Sequence, residues 1–272
     1  MVGIADVVDL DRYPLDRPSD IAFERVVANA KRQLKQSGCA VFKEFVKPAA
    51  RAQMAKEAAA LRSSAWVSSN LFCPYPPHQP VASPEWPEGH PRRTAFPRAN
   101  RFVAYDQLAG SWVRTLYDWD PLTDFLRQCL GLPKLYHSGD PLMAATLSIQ
   151  EPNDGLPWHF DFSPFVVTLL IQEPEEGGRF QYVPNIRSGE NENYERISSL
   201  LDDTDHSDVI DVNLQVGDLQ LFEGRYSMHR VTPPQGSRWR CITIFTYNER
   251  PGVVGSEQFQ LDHFGRTLRQ AV

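Results

Sequence analysis

The sequence lacks what several protein classes require. Nowhere in its 272 residues is there an apolar run of about eighteen, so no segment is expected to cross a bilayer as a helix. Cysteine is scarce: Cys39, Cys73, Cys129 and Cys241 stand far apart and form no CxxC pair. A disulfide framework and a zinc–cysteine site are therefore not expected, and reduced thiols in a cytoplasmic protein are the simpler reading. Met1 to Leu10 carries Asp6 and Asp9 and no basic stretch, so a secretory signal is not expected there. Positive charge is in deficit, with 28 Lys+Arg against 34 Asp+Glu and a net charge of −6. That balance gives no general attraction to phosphate backbones or anionic lipid, so neither nucleic acid nor a membrane is an expected partner. No internal repeat is visible.

What is present is ordinary for a globular enzyme. A hydrophobic fraction of 42% with 23% charged residues excludes a disordered or coiled-coil chain. A chain this long buries roughly three quarters of its unfolded surface and needs no structural metal to hold a core. We expect one domain over 1–272, a small-molecule partner, and a homodimer as the default oligomer.

Along the chain, Ser19 is a candidate cap for a helix whose apolar positions Phe23, Val26, Val27, Ala30 and Leu34 recur at helical spacing, with Gly38 as its stop. Cys39 to Val46 reads as a strand, and Pro48 opens an alanine-rich helix to about Arg62. Between Ser63 and Asn100, prolines at 74, 76, 77, 80, 84, 87, 91 and 97 leave no sustained periodicity. The aromatics Trp66, Phe72, Tyr75, Trp86 and Phe96 argue for an ordered excursion covering a site. Two helical pieces follow, from Ser111 and from Pro121, the second ending at Gly131. From Leu142 the period shortens to that of strands, interrupted by an acidic helical or loop insertion from Glu190 to Asp208. Helices first and short strands afterwards imply a mainly β fold, a sandwich or barrel, with flanking helices. The expected division is a helical flank and covering segment over 1–141, a catalytic core over 142–252 and an extension over 253–272.

The chemistry is concentrated in Trp158-His159-Phe160-Asp161 and in His229 of SMHRVTPP. In a strand, residues i and i+2 face the same way, so His159 and Asp161 reach one point together. With His229 as a third ligand they form a facial triad of two imidazoles and a carboxylate, which leaves three positions open on an octahedral ion. Arg238 and Arg240, opening the last long strand, are suited to grip the distal carboxylate of a keto-diacid chelated at such a metal. Arg240 is favoured, because it shares a face with Ile242, Ile244 and Thr246. Thr168 and Gln172 are candidates to point inward at that cosubstrate. Gly177-Gly178 reads as a hairpin turn and Trp158 as a wall residue. The histidines at 78, 90, 137, 206 and 263 read as surface or loop residues. The basic run His90 to Arg93, with Arg98 and Arg101, is read first as a solvated loop and second as the cation for a substrate α-carboxylate.

These features resemble the Fe(II)/2-oxoglutarate-dependent dioxygenases. The strings WHFDFSPFVVTLLIQEPEEGGRFQYVPNIR and GDLQLFEGRYSMHRVTP resemble the bacterial branch holding free-amino-acid halogenases and related amino-acid hydroxylases. The match spans about Leu142 to Gly252. The resemblance implies a double-stranded β-helix (jelly-roll) core, with Fe(II) on His159, Asp161 and His229. It also implies 2-oxoglutarate as cosubstrate on Arg240 or Arg238, and O₂. The halogenases of that branch carry Gly or Ala where this chain has Asp161, which opens a position for chloride. Here the resemblance implies a hydroxylase of a free or N-substituted amino acid instead, with desaturation or cyclisation as variants of the same chemistry. The competing expectations are a carrier-tethered aminoacyl or small natural-product substrate and, from another class, a non-oxidative cupin-like metal protein.

Overall fold

The computed structural model describes residues 3–79 and 85–268. Pro80 and Pro84 of the proline-rich segment lie outside the described residues. The first half contributes helices α1 (Ile4–Val7), α2 (Ile21–Ser37) and α3 (Pro48–Leu61), strand β1 (Cys39–Phe42), strands β2 (Trp66–Phe72) and β3 (Phe96–Val103), and helices α4 (Trp112–Tyr117) and α5 (Asp120–Leu130). The second half is built of β4 (Tyr136–His137), β5 (Ala145–Gln150), β6 (Leu156–His159), β7 (Val166–Gln172), β8 (Phe180–Val183), β9 (Ile210–Val212), β10 (Leu219–Phe222), β11 (Met228–Val231), β12 (Arg240–Phe245) and β13 (Tyr247–Asn248). Helix α6 (Tyr194–Leu201) lies within the acidic insertion, and α7 (Glu257–Phe264) follows the last strand.

Helix α2 shows how local chemistry sets an element. Phe23, Val27, Ala30 and Leu34 fall on one face and are buried. The cap is Asp20, one residue after the expected Ser19; its carboxylate accepts from Ala22 N at 2.9 Å, and Gly38 ends the helix in the left-handed region at φ 69°. Truncating Leu34 to Ala would cost about 2–5 kcal/mol, since the cavity adds to the lost transfer energy.

Two antiparallel sheets form the jelly roll. The larger runs β1-β10-β7-β12-β5-β3-β2 and the smaller β6-β11-β8-β9, while β13 and β4 form a two-stranded sheet beside them. Alternate residues of the larger sheet, including Leu147, Ile149, Val167, Leu169, Leu221 and Phe245, pack outward with Phe23, Met54, Leu116 and Phe125 of the helices in the main core. The outer face of the smaller sheet, with Trp158, Phe160, Val183 and Met228, is sealed by Ile197 and Leu200 of α6 and by Tyr75. The acidic insertion is thus half helix and half loop, with its apolar side used for cover. The inner faces of both sheets remain for the site.

The segment from Ser63 to Asn100 departs from expectation. It supplies β2 and most of β3, which extend the larger sheet through β5. The alternation is present but inverted: Ser68, Arg98 and Asn100 face inward and are buried, while Val67 and Leu71 face out. A strand that buries its polar residues gives no hydrophobic signal at period two. Together with β1, these strands mean that the jelly roll draws on the chain well before residue 142.

Candidate active site

The site begins with strand register. His229 of β11 is paired directly with His159 of β6, so the two imidazoles stand side by side with ring centroids 4.1 Å apart. Asp161, two residues beyond His159, is held as its amide donates to the Gly224 carbonyl at 3.0 Å. A Cβ on Gly224 would lie 1.9 Å from Asp161 Oδ2, so that glycine leaves room for the carboxylate. One ligand atom from each of His159, Asp161 and His229 falls within 4.8 Å of the others.

The hydrogen bonding fixes what faces the centre. His159 Nδ1 donates to the Pro157 carbonyl at 2.8 Å and His229 Nδ1 to the Ser227 carbonyl at 3.0 Å. Each ring therefore turns Nε2 inward, with its lone pair free in the neutral form. Those atoms stand 3.8 and 3.4 Å from Asp161 Oδ1, and Oδ2 is buried without a hydrogen-bond partner. Burial pushes the His159 pKa well below its usual value, and the facing His229 pushes it further. Burial works to raise that of Asp161, but the imidazoles, His229 first, hold it below the usual carboxylate range. Two imidazole nitrogens and a carboxylate oxygen thus converge on one point, an arrangement that suits a divalent cation. Two nitrogens and one oxygen are the donor set suited to a redox-active Fe(II).

Two buried arginines flank this centre on the inner face of the larger sheet. Arg240 opens β12, is 3% exposed, and has Nη1 donating to Gln150 Oε1 at 3.0 Å. Burial lowers its pKa to about 10. It faces a cavity of about 850 Å³ that is also lined by Leu170, Gly178 and Phe180, and the Phe180 ring is 5.6 Å from that of His229. Gly177-Gly178 forms a wall of this cavity: a Cβ on Gly178 would come within 2.9 Å of Arg240 Cδ, and its φ of 61° disfavours any side chain. Arg238 lies on the exposed rim, where Nη2 donates to the Pro174 carbonyl. Thr168 shares the inner face, but its hydroxyl donates to Gln220 Oε1 at 3.1 Å, and Leu170 is the β7 residue lining the cavity near Arg240. Gln172 turns back to the Trp239 carbonyl.

The second arginine is Arg98 of β3, 5% exposed. Its Nη2 donates to Ser68 Oγ at 2.8 Å and its Nε is buried without a partner among the described residues. Burial brings its pKa down to about 10, against the pull of Asp262 on α7. Its guanidinium lies 4.8 Å from the centroid of Phe72, whose ring is 5.3 Å from that of His159. Facing Arg98 across the β2–β3 register is Asn70, with a buried Oδ1 that lacks a partner. The basic run is therefore split. Arg98 is inside, Arg101 pairs with Asp154, and Arg92 pairs with Glu192 over Tyr75 and Tyr194.

Two of the histidines expected at the surface belong to this end of the site. His78 stacks on Phe72 at 4.4 Å and stands 5.7 Å from the His159 ring. His263 on α7 stacks on Phe259 and meets Phe102 at 4.9 Å. Burial lowers their pKa values to about 4 and about 3. The spacing of lone histidines carries no sign of this; the inward alternation of Ser68, Asn70 and Phe72 was the available signal.

The antiparallel jelly roll and its triad define a class, the fold of iron- and 2-oxoglutarate-dependent oxygenases. Solved structures similar to this chain include the α-ketoglutarate-dependent epimerase SnoN from nogalamycin biosynthesis, at 15% identity over 83% of each chain with a TM-score of 0.55. AviO1 from Streptomyces viridochromogenes Tue57 matches at 17% identity over 84% of this chain and 97% of its own, with a TM-score of 0.55. A prolyl hydroxylase from Trichoplax adhaerens matches at 14% identity over 82% of this chain and 89% of its own, with a TM-score of 0.52. At these identities the likeness is one of fold. Residues 89–256, more than half of the sequence, match the profile of the halogenase D family, and the chain belongs to that family of enzymes. No curated protein matches it with significant sequence similarity.

Proposed function

We propose that this enzyme hydroxylates an unactivated C–H bond of a free or N-substituted amino acid, using Fe(II), 2-oxoglutarate and O₂. His159, Asp161 and His229 would hold the iron. Iron with 2-oxoglutarate supplies an oxidant strong enough for such a bond, with succinate and CO₂ as coproducts. The convergence of three acceptors on one point is the observation that carries this reading. A cytoplasmic place of action is part of it, in keeping with four separate buried thiols.

The chain's own residues divide the remaining work. Arg240 is the candidate for the distal carboxylate of 2-oxoglutarate, because a buried guanidinium whose hydrogen-bond partner among the described residues is an amide oxygen gains a charge-assisted bond there. Arg238, on the rim, is suited to the entrance of that cavity. Arg98 offers the same chemistry at the other end, for the substrate carboxylate. This favours a free amino acid over a carrier-tethered one, whose carboxyl is tied up in a thioester and leaves Arg98 unpaired. The apolar rings of Phe72 and Phe180 exclude water between these poles. Asp161 occupies the position a halide would need, which supports hydroxylation within a family named for halogenation.

The test is anaerobic reconstitution with Fe(II) and 2-oxoglutarate, then exposure to air with a panel of free and N-acylated amino acids, following succinate and substrate mass together. Substrate-dependent succinate with one added oxygen supports the reading. Added chlorine in the presence of chloride, or no succinate with iron bound, overturns it.

A further inference from the structure

Arg98 answers for a carboxylate, but an amino acid carries a second charged group two bonds away, and that group needs an acceptor. The residue placed for it is His78. Phe72 is the shared surface: the His78 ring stacks on it at 4.4 Å and the Arg98 guanidinium sits 4.8 Å from its centroid. The same ring lies 5.3 Å from His159, so headgroup and metal are set around one aromatic side chain.

The orientation of His78 is held from several sides. Its backbone adopts φ 65°, a left-handed conformation uncommon outside glycine, and its Nδ1 donates to the Cys73 carbonyl at 2.9 Å. The Cys73 amide in turn donates to the His78 carbonyl at 3.1 Å, closing a small ring of backbone. One residue on from Cys73, the Pro74 carbonyl accepts from the amide of Phe160 at 2.8 Å, which ties this turn to the metal-binding strand. With Nδ1 committed, Nε2 is the nitrogen left to meet a ligand. The His78 ring also lies 5.7 Å from that of His159, so Phe72 gathers the arginine, this imidazole and a triad ligand around one side chain.

We infer that His78 is a specificity-determining residue whose Nε2 accepts a hydrogen bond from the α-ammonium of the substrate held through its carboxylate by Arg98. The enzyme then recognises the zwitterionic headgroup, and the side chain of the amino acid is the part presented to the iron. This rests on the amino-acid reading above. A site built to accept from a charged donor rejects an analogue without it by roughly 10- to 100-fold.

The experiment is anaerobic equilibrium dialysis of the iron- and 2-oxoglutarate-loaded protein against the common L-amino acids and against the des-amino acid of the tightest binder. The wild type is expected to prefer the amino acid by roughly 10- to 100-fold. His78→Phe keeps the stack on Phe72 and removes the acceptor, so it should weaken only the amino acid and erase the preference. His78→Gln restores an acceptor and should recover part of it, which also guards against a folding defect in the first variant. Arg98→Gln should weaken both ligands alike. A preference that survives His78→Phe overturns the assignment, as does a wild type that binds both acids equally. If no member of either series binds the wild type, the amino-acid reading falls and this inference falls with it.

Discussion

Asp161 is the residue on which the proposed hydroxylation turns, and its surroundings are as specific as the side chain. Its amide is held by Gly224 and its carboxylate fills the space a Gly224 side chain would take. Asp161→Ala should lower iron affinity and reduce iron-dependent turnover by at least about a hundredfold, as metal titration and succinate release would show. Gly224→Ala keeps every ligand residue yet should weaken iron binding in the same direction, because the new methyl displaces the Asp161 carboxylate. Arg240→Ala should raise the 2-oxoglutarate concentration needed for half-maximal succinate release by roughly 10- to 100-fold, whereas Arg238→Ala on the exposed rim should change it by less than about threefold. Equal effects of the two arginines would move the cosubstrate toward the rim.

At the scale of elements, the strand pair β6–β11 sets the two imidazoles, and the turn from Cys73 to His78 leans on it through Phe160. That turn is braced from outside by Arg92, which pairs with Glu192 while lying over Tyr75, and by Arg187, which reaches Glu192 and packs on Phe160 at 3.8 Å. Glu192→Gln should cost less than about 1 kcal/mol of global stability, since such partly exposed pairs contribute little. It should nevertheless raise amide exchange over Cys73–His78, measured by hydrogen–deuterium exchange. How much was legible beforehand follows from the same elements. The triad showed because His159 ends β6 with Asp161 two residues beyond it, and His229 stands in a second short strand. The flanking helices showed because their buried faces are apolar. The strands β2 and β3 did not, because their buried face is Ser68, Arg98 and Asn100, and proline-rich neighbours hid the alternation. The end of the site with His78 and Arg98 was obscured for the same reason.

For the molecule as a whole, two guanidinium groups and, besides the two triad imidazoles, those of His78 and His263 are enclosed around one interior. His78 and His263, with pKa values near 4 and 3 instead of the usual 6.5, stay neutral when folded while the unfolded chain takes up protons. Stability should therefore fall as pH drops from about 6.5 towards 4, and His263→Phe should flatten that slope in thermal melts recorded across the range. Arg98 and Arg240, each lowered to about 10 by burial, are relieved when an anion arrives. Metal-free protein should accordingly melt higher with 2-oxoglutarate present; a ligand at a hundred times its dissociation constant adds about 2.7 kcal/mol, worth several degrees in a chain of this size. An unchanged melting temperature in Arg240→Ala under the same conditions would tie that gain to this one side chain.

The origin of the site's parts in the chain has a practical consequence. The candidate iron ligands and Arg240 come from β6 and the residues just after it, β11 and β12, while Ser68, Asn70, Phe72, His78 and Arg98 all come from the edge strand β2, the turn after it and β3. On the reading proposed above, substrate choice is carried on one segment of chain, separate from the three candidate iron ligands. Exchanging residues 66–103 between relatives is accordingly the shortest route to retargeting the enzyme, with Phe160 and Pro74 as the joint that must be kept.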